Sequence, residues 1–299
     1  MAPAPLTPPL LPAEPQLRAF AGAAAQLLVE RLPRAPGAQG LTRRAGVGLQ
    51  HLDHRDYIPG DEVRHIDWRQ TARQQRPIVR QFEAESVSDW QLVLDASSSM
   101  AAGDAAKWRA AVAMAAGLAY ALLQVGHRVG LLAFGTRVLA RCPRGRGQHH
   151  FAAMARLLTG LQPPPRAERS ELGVCGRHLQ GATAVLVLSD FLSDGAMLRD
   201  LAAVLHHGAA VHAVQVGALL DTALAARGEL DLVDLETGAR RPAWVDDAAQ
   251  SRAAGERAAM SRRLRDFCAR SGIAFSDWDL AQSWQHALMA HLVRARRLC

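Results

Sequence analysis

Apolar positions in the last two-thirds of the chain follow two alternating patterns. Short, almost entirely apolar runs predict strands at residues 90–94, 128–134, 184–188, 210–216 and 273–278. Stretches with helical spacing lie between and after them, at residues 105–125, 148–161, 170–179, 196–207, 248–271 and 282–297. Apolar strands separated by helices are typical of a parallel sheet that is covered on both sides. The pattern therefore predicts an α/β fold with a doubly wound, mostly parallel sheet and helices on both faces.

The first 86 residues follow a different pattern. Residues 1–16 are rich in proline, residues 17–32 have helical spacing, and proline and glycine interrupt that spacing at residues 33–40. The next stretch mixes charged residues, histidines and turn residues, and it ends in an alternating, strand-like run at residues 78–82. We predict three parts: a Pro-rich start with an N-terminal helix at 1–37, a dense segment at 38–86 and the α/β domain at 87–299.

Composition and charge narrow the classes of function. The chain has 299 residues, of which 49% are hydrophobic, and this excludes wholesale disorder. It carries a formal net charge of +7, and Lys107 is its only lysine among 35 basic residues. The positive field attracts acidic partners, either nucleic acid or an acidic protein surface. Because only 5% of residues are aromatic and the charge is scattered, nucleic-acid binding is the weakest of the functions we consider.

Three observations predict a cytoplasmic protein. No stretch approaches the ~18 uninterrupted apolar residues that a spanning helix needs. The first residues lack the basic head and the cleavage site of a secretory signal. The four cysteines lie far apart without a C-x-x-C pair, so we expect reduced thiols rather than disulfides or a zinc site.

Polar residues stand where two apolar strands end. Asp95, Ser97 and Ser99 form a D-x-S-x-S loop after the strand at 90–94, and Asp190 follows the strand at 184–188. Ligands of doubly wound sheets bind outside the carboxyl ends of the strands. Carboxylates and hydroxyls in that place suit Mg²⁺ or Mn²⁺ better than zinc. Each residue alone is also an ordinary helix N-cap, but the combination favours a metal site with an open position for a partner's carboxylate.

An ungapped run upstream carries a family resemblance. Residues 55–68 read R-D-Y-I-P-G-D-E-V-R-H-I-D-W, which resembles the signature R-x-Y-x-P-G-D-x-x-R-x-I-D-W of the bacterial DUF58 family. Residues 234–238 resemble a second feature of that family, and the resemblance covers about residues 38–297. The signature positions, which also form a candidate docking surface, are Arg55, Tyr57, Gly60, Asp61, Arg64, Asp67, Trp68, Arg73 and Arg80.

The charged signature residues predict an ion network. We expect Asp61 and Asp67 to lie in a partly buried cluster with three signature arginines, Arg64, Arg73 and Arg80. Trp68 is its expected hydrophobic anchor. Two interpretations stay open at this point. The cluster is either a docking or regulatory surface or a clamp that fastens the segment to the sheet.

The resemblance implies a diverged von Willebrand factor A domain with a metal-ion-dependent adhesion site. Asp95, Ser97 and Ser99 match the D-x-S-x-S of such sites, and Asp190 matches their later aspartate. Ser170 stands about where those domains place a threonine ligand. The implied cofactor is Mg²⁺ or Mn²⁺, with no metal at all if the site is degenerate.

The resemblance also implies a function. The family resembles non-enzymatic adaptors that partner MoxR-type AAA+ ATPases in assembling or activating other protein complexes, with an acidic side chain of a partner at the metal. An alternative from another class is a metal-dependent hydrolase or phosphoryl-transfer enzyme at the same edge. The sequence shows no histidine, lysine or third carboxylate beside Asp95 that would act as its base.

Overall fold

The structure is a computed structural model that describes residues 10–29, 51–57, 66–82, 87–102, 105–163, 169–192, 196–217, 227–235 and 237–297. The chain divides into two compact units. One comprises residues 1–38 and 88–299, and the other comprises residues 39–87.

The described strands, in chain order, are β1 (His51–Asp56), β2 (Ile78–Phe82), β3 (Asp89–Asp95), β4 (Arg128–Phe134), β5 (Val138–Gly145), β6 (Ala184–Ser189), β7 (Ala210–Val216), β8 (Gly228–Val233), β9 (Arg240–Val245) and β10 (Ala274–Trp278). The described helices are α1 (Glu14–Val29), α2 (Trp68–Gln74), α3 (Ala106–Gln124), α4 (Gly147–Gly160), α5 (Gly176–Leu179), α6 (Ala196–His206), α7 (Asp247–Arg270) and α8 (Trp284–Arg296). Short 3-10 helices lie at Ser98–Ala101 and Leu172–Cys175.

A six-stranded sheet forms the centre of the larger unit, with the strand order β10-β7-β6-β3-β4-β5. Neighbouring strands run parallel except for β5, which pairs antiparallel with β4 at one edge. The four inner strands are buried almost throughout, which explains why their sequences are apolar rather than alternating. The predicted mostly parallel α/β fold is therefore confirmed.

Helices cover both faces of this sheet. Leu92 and Leu94 of β3 join a core with residues of α1, α3, α4 and α8, whereas Val93 between them joins a core with residues of α6 and α7. Adjacent residues of a strand point to opposite faces, so one strand serves both cores. Helix α3 is buried nearly all round because it lies between the sheet and other helices.

The N-terminal helix belongs to this unit. It begins at Glu14, three residues before the predicted start, and Glu14 pairs with Arg18 one turn later. Its apolar face packs on α3, and the Phe20 ring lies 5.2 Å from that of Trp284 on α8. His127 also lies 2.9 Å from the Leu28 carbonyl oxygen, which ties the end of α1 to the turn before β4.

The predicted helix at 170–179 is shorter than expected. Residues 170 and 171 belong to no helix or strand, and a 3-10 turn at Leu172–Cys175 precedes the four-residue α5. Two glycines within this stretch, Gly173 and Gly176, lower its helix propensity. As a consequence, Ser170 lies in a loop rather than on a helix.

In the smaller unit, β1 and β2 pair antiparallel. The Asp67 side chain caps α2 by accepting from the backbone amides of Arg69 and Gln70 at 3.0 and 3.1 Å. None of the helices that the structure describes is long and apolar enough to cross a membrane.

Candidate functional site

The connections of the sheet create a switch point between β3 and β6. The chain leaves β3 towards β4 on one side, and it leaves β6 towards β7 on the other. Loops that depart in opposite directions open a crevice at the carboxyl ends of the two strands, where ligands of such sheets bind. Asp95 ends β3 and Asp190 directly follows β6, so both aspartates stand at this crevice.

Asp95 is the centre of a dense hydrogen-bond network. Its Oδ2 accepts from the hydroxyls of Ser170 and Ser189, each at 2.6 Å, and its Oδ1 accepts from the Ser97 amide at 2.9 Å. The hydroxyls of Ser97 and Ser99 lie 3.1 Å apart. The structure therefore brings the D-x-S-x-S loop and Ser170 together, although Ser170 is 75 residues away from Asp95 in the sequence.

Asp190 forms an ion pair that the sequence analysis did not predict. The Lys107 ammonium, on the first turn of α3, donates to Asp190 Oδ2 at 2.8 Å. The Gln215 amide donates to the Asp190 carbonyl at 3.1 Å, which holds the end of β6 to β7. We refer to seven side chains as the carboxyl-edge cluster: Asp95, Ser97, Ser99, Lys107, Ser170, Ser189 and Asp190.

The sequence offered weak signals for the two members that were missed. In the sequence, Ser189 follows an apolar run and was interpreted as a strand end. In the structure, its hydroxyl donates to Asp95 and accepts from the Phe191 amide at 2.9 Å. Lys107 is the only lysine of the chain, which was noted, but its distance from Asp190 in the sequence hid the pair. The sequence analysis looked for a lysine beside Asp95 only, whereas Lys107 pairs with Asp190.

Burial sets the electrostatics of this cluster. The pKa of Asp95 is raised to about 6: burial is the largest cause, the negative charge of Asp190 also raises the pKa, and the hydrogen bonds from Ser170, Ser189 and Ser97 lower it. Burial and the neighbouring Asp95 charge also raise the pKa of the Cys175 thiol to about 12. Cys175 is therefore a neutral thiol at physiological pH, and it is unsuited to nucleophilic chemistry.

The cluster is closed to solvent. Ser170, the most exposed member, is only 6% exposed, and Asp95 and Asp190 are at most 1% exposed. The sequence analysis expected an open rim where a partner's carboxylate completes a metal shell. In the part of the chain that the structure describes, the carboxylates instead face donors of the chain itself.

The donor set fits a divalent ion only in part. Carboxylates and hydroxyls are the ligands that Mg²⁺ takes, but no three carboxylate, imidazole or thiol groups come together among the described residues. One of the two carboxylates is already neutralised by Lys107. As arranged, these residues do not fit a divalent ion, because it would share a closed site with an ammonium. The Mg²⁺ or Mn²⁺ that the sequence analysis expects at Asp95, Ser97, Ser99, Ser170 and Asp190 stays a prediction.

The signature residues are described in part. Gly60, Asp61 and Arg64 lie outside the described residues, and for Arg55 and Arg80 only the backbone, in β1 and β2, is described. Tyr57 follows β1, and its amide donates to the Pro77 carbonyl at 2.9 Å.

Two predictions about the signature are corrected. Trp68 was expected to anchor the network, but this first residue of α2 is 65% exposed, and α2 has no buried residues. Arg73 is exposed as well, on the last turn of that helix. Asp67 is buried, and its carboxylate caps α2.

Comparisons with known proteins identify relatives along most of the chain. Residues 53–265 match the family model described as "Protein of unknown function DUF58". The uncharacterized protein Rv1480 of Mycobacterium tuberculosis is 33% identical over 234 residues, which cover 74% of this chain and 72% of that protein. The uncharacterized protein YeaD of Bacillus subtilis is 29% identical over 124 residues, 40% of this chain and 29% of that protein.

Two solved structures are similar over most of their length. One is an aerotolerance-related membrane protein from Bacteroides fragilis, with a TM-score of 0.43 and 16% identity over 69% of this chain and 99% of that one. The other is the conserved hypothetical protein BatB from Bacteroides thetaiotaomicron, with a TM-score of 0.42 and 13% identity over 71% and 98%.

Proposed function

This chain belongs to the DUF58 family, and from that membership we propose that it is a non-enzymatic protein-interaction module of the von Willebrand factor A type. It partners a MoxR-type AAA+ ATPase and acts as its adaptor in assembling or activating other protein complexes. Its docking face is the carboxyl edge of the sheet, where ligands of doubly wound sheets bind.

One observation carries this proposal. Asp95, Ser97, Ser99, Ser170 and Asp190 come from three separate segments that converge at the switch point of the sheet. Hydrogen bonds join Asp95 to Ser97 and Ser170, the hydroxyls of Ser97 and Ser99 lie 3.1 Å apart, and the charge of Asp190 is close enough to raise the pKa of Asp95. The resemblance to A domains assigns its adhesion site to these same five positions. If these residues only capped three unrelated helices, nothing would require their segments to converge.

The buried cluster supports docking indirectly. Its side chains are closed to solvent, so a partner meets the loops around them rather than the carboxylates. The Glu171 amide, next to Ser170, donates to the Gly135 carbonyl at 3.0 Å in the turn between β4 and β5. The cluster therefore fixes the loop that carries Ser170 and, through it, the exposed turn that carries Arg137.

Charge reversal on the two edges of the sheet tests the proposal. Arg137 is exposed at the carboxyl edge, and Arg270, exposed at the end of α7, is a matched control at the amino edge. Binding of the full chain to a purified MoxR-type ATPase from the same genome is measured by biolayer interferometry. We expect Arg137→Glu to weaken binding about tenfold or more and Arg270→Glu to leave it unchanged.

Two outcomes contradict the proposal. If the unaltered chain does not bind the ATPase, with or without nucleotide, the assigned partner is wrong. If both charge reversals weaken binding equally, the carboxyl edge is not the docking face.

A further inference from the structure

We propose that the Lys107 ammonium is the resident cation of the carboxyl-edge cluster and takes the place of a divalent ion. The cluster then keeps its loops in position without metal. This inference rests on the proposed function in one respect, namely that the same cluster shapes the docking face.

The first support for the role of Lys107 is its position. Its Nζ lies 2.8 Å from Asp190 Oδ2, and the two side chains are only 5% and 2% exposed. An ammonium so deeply buried is retained only where a counter-charge and hydrogen-bond acceptors are in place. The pair joins the start of α3 to the end of β6, 83 residues apart in the sequence.

The fold also provides a passage for the lysine stem. Gly217 follows β7 with a φ of +75°, and a Cβ at this position would lie 2.7 Å from Lys107 Cγ and 2.9 Å from Cδ. Any other residue would be strained there and would also push against the stem. The close approach of the Gly217 backbone shows that the route of Lys107 into the cluster is built into the neighbouring strand end.

The choice of residue points the same way. Lys107 is the only lysine of this chain, and every other basic side chain apart from histidine is arginine. A guanidinium is a planar fork with five donors, whereas an ammonium is a compact point charge. At position 107, where a cation fits beside a carboxylate in a closed site, the chain has the compact ion.

Charge balance gives the final reason. Asp95 and Asp190 bring two negative charges when ionised, and Lys107 brings one positive charge. A divalent ion added to this arrangement would place three positive charges against two negative ones in a closed, poorly solvated site. Removal of the ammonium leaves a pair of carboxylates with hydroxyls around them, which is a donor set for Mg²⁺ or Mn²⁺.

Manganese titration of purified full-length variants tests the inference, with bound Mn²⁺ followed by electron paramagnetic resonance. We expect the unaltered chain to bind no stoichiometric Mn²⁺, and Lys107→Met to bind one ion with a Kd at least about tenfold lower than any site of the unaltered chain. The control is the double variant Lys107→Met with Asp190→Asn, which lacks the second carboxylate and should lose the gained site.

Either of two results overturns the inference. One is stoichiometric Mn²⁺ binding by the unaltered chain, whether or not Lys107→Met strengthens it. The other is a folded Lys107→Met variant that gains no site, because the ammonium position would then not suit a divalent ion.

A second measurement covers the case in which Lys107→Met does not fold. Urea unfolding of the unaltered chain is compared in EDTA and in excess Mn²⁺, and the midpoints should coincide, since an ion that binds only the folded state would raise the midpoint. A higher midpoint in Mn²⁺ contradicts the inference.

Failure of the inference and failure of the proposed function are distinguishable. Both metal measurements use this chain alone, so they report on Lys107 even if no ATPase binds. If the nucleotide-free ATPase binds, we expect the same affinity in EDTA and in Mg²⁺. Binding that is abolished by EDTA would support the docking proposal and refute the role of Lys107.

Discussion

Two groups of polar side chains are buried in the larger unit, and they compensate for the loss of water in different ways. The carboxyl-edge cluster is charged and formed by loops and helix starts. The second group, which we call the histidine chain, consists of His212 on β7, His291 on α8 and Ser276 on β10. His291 lies 3.1 Å from the His212 ring nitrogen and 2.9 Å from the Ser276 hydroxyl. All three residues are at most 9% exposed.

Burial is the largest cause of the lowered pKa values in the histidine chain. Burial lowers the pKa of His212 to about 4, and burial, with the charges of His212 and Arg294, lowers the pKa of His291 well below its usual range. Both imidazoles are therefore neutral at physiological pH. The carboxyl-edge cluster instead keeps an ammonium beside a carboxylate.

This difference is the reason why we propose a site at the carboxyl-edge cluster and none at the histidine chain. A neutral hydrogen-bonded chain within regular elements satisfies its own polar atoms and has no counter-charge to exchange. The carboxyl-edge cluster is charged and lies at the switch point, beside loops that we propose as the docking face. Its ion pair is broken when either Lys107 or Asp190 is replaced. The following predictions test this contrast, from the largest expected effect to the smallest.

Removal of Asp190 should have the largest effect. Asp190→Ala leaves the Lys107 ammonium buried without this counter-charge, so we expect a loss of about 3–5 kcal/mol in the free energy of unfolding, measured by urea denaturation. The control is the double variant Asp190→Leu with Lys107→Met, which replaces the pair by apolar groups and should come closer to the stability of the unaltered chain. A double variant that is as unstable as Asp190→Ala would mean that the unpaired charge is not the cause.

Acid should destabilise the protein through His212. Its folded pKa of about 4 lies below the ordinary value of 6.5, so between these pH values the unfolded chain takes up the proton first and stability falls as the pH falls. The loss reaches at most about 3 kcal/mol. Asp95, with a pKa raised to about 6, acts in the opposite direction, because its folded form takes up a proton before the unfolded form does.

A variant separates these two effects. The difference in unfolding free energy between the unaltered chain and His212→Gln cancels the part due to Asp95, which both share. We expect this difference to shrink as the pH is lowered from 7 towards 4.5, measured by urea denaturation at several pH values. If the difference does not change with pH, burial does not lower the pKa of His212 in the folded protein.

Deletion of one hydroxyl from each group compares them directly. The Ser189 hydroxyl donates to the Asp95 carboxylate, whereas the Ser276 hydroxyl meets the His291 imidazole. Hydrogen bonds to charged groups contribute more, so we expect a loss of about 1.5–3 kcal/mol for Ser189→Ala and about 1 kcal/mol for Ser276→Ala. Equal losses in thermal or urea unfolding would contradict the contrast between the two groups.

The smallest effect concerns the passage for Lys107. Gly217 and Gly208 share a φ of +75°, but a Cβ at Gly208 meets nothing within 4 Å. Both Gly→Ala variants carry the backbone strain, and only Gly217→Ala also presses on the lysine stem. We expect Gly217→Ala to cost about 1 kcal/mol more than Gly208→Ala in urea unfolding. If both variants lose the same stability, the contact with the stem contributes nothing.

Much of the fold was predictable because its signals are local. Strand β4 has the bounds that its apolar run predicted, and α3 differs from the prediction by one residue at each end. Most of the candidate site was predictable as well, since Asp95 and Asp190 stand at strand ends, whose direction follows from the parallel sheet. The predicted helix at 170–179 was too long because two glycines within it favour a 3-10 turn and a short helix.

The amino-acid sequence by itself determined the α/β class, the order of its elements and the loops that carry the polar residues. These follow from periodicity and from short-range turn chemistry. Only the tertiary structure decided that Lys107 pairs with Asp190 and that the hydroxyls of Ser170 and Ser189 donate to Asp95. It also decided that the cluster is closed to solvent. Such contacts depend on how crossovers bring distant segments together, and no local pattern records the neighbour that a side chain meets across the sheet.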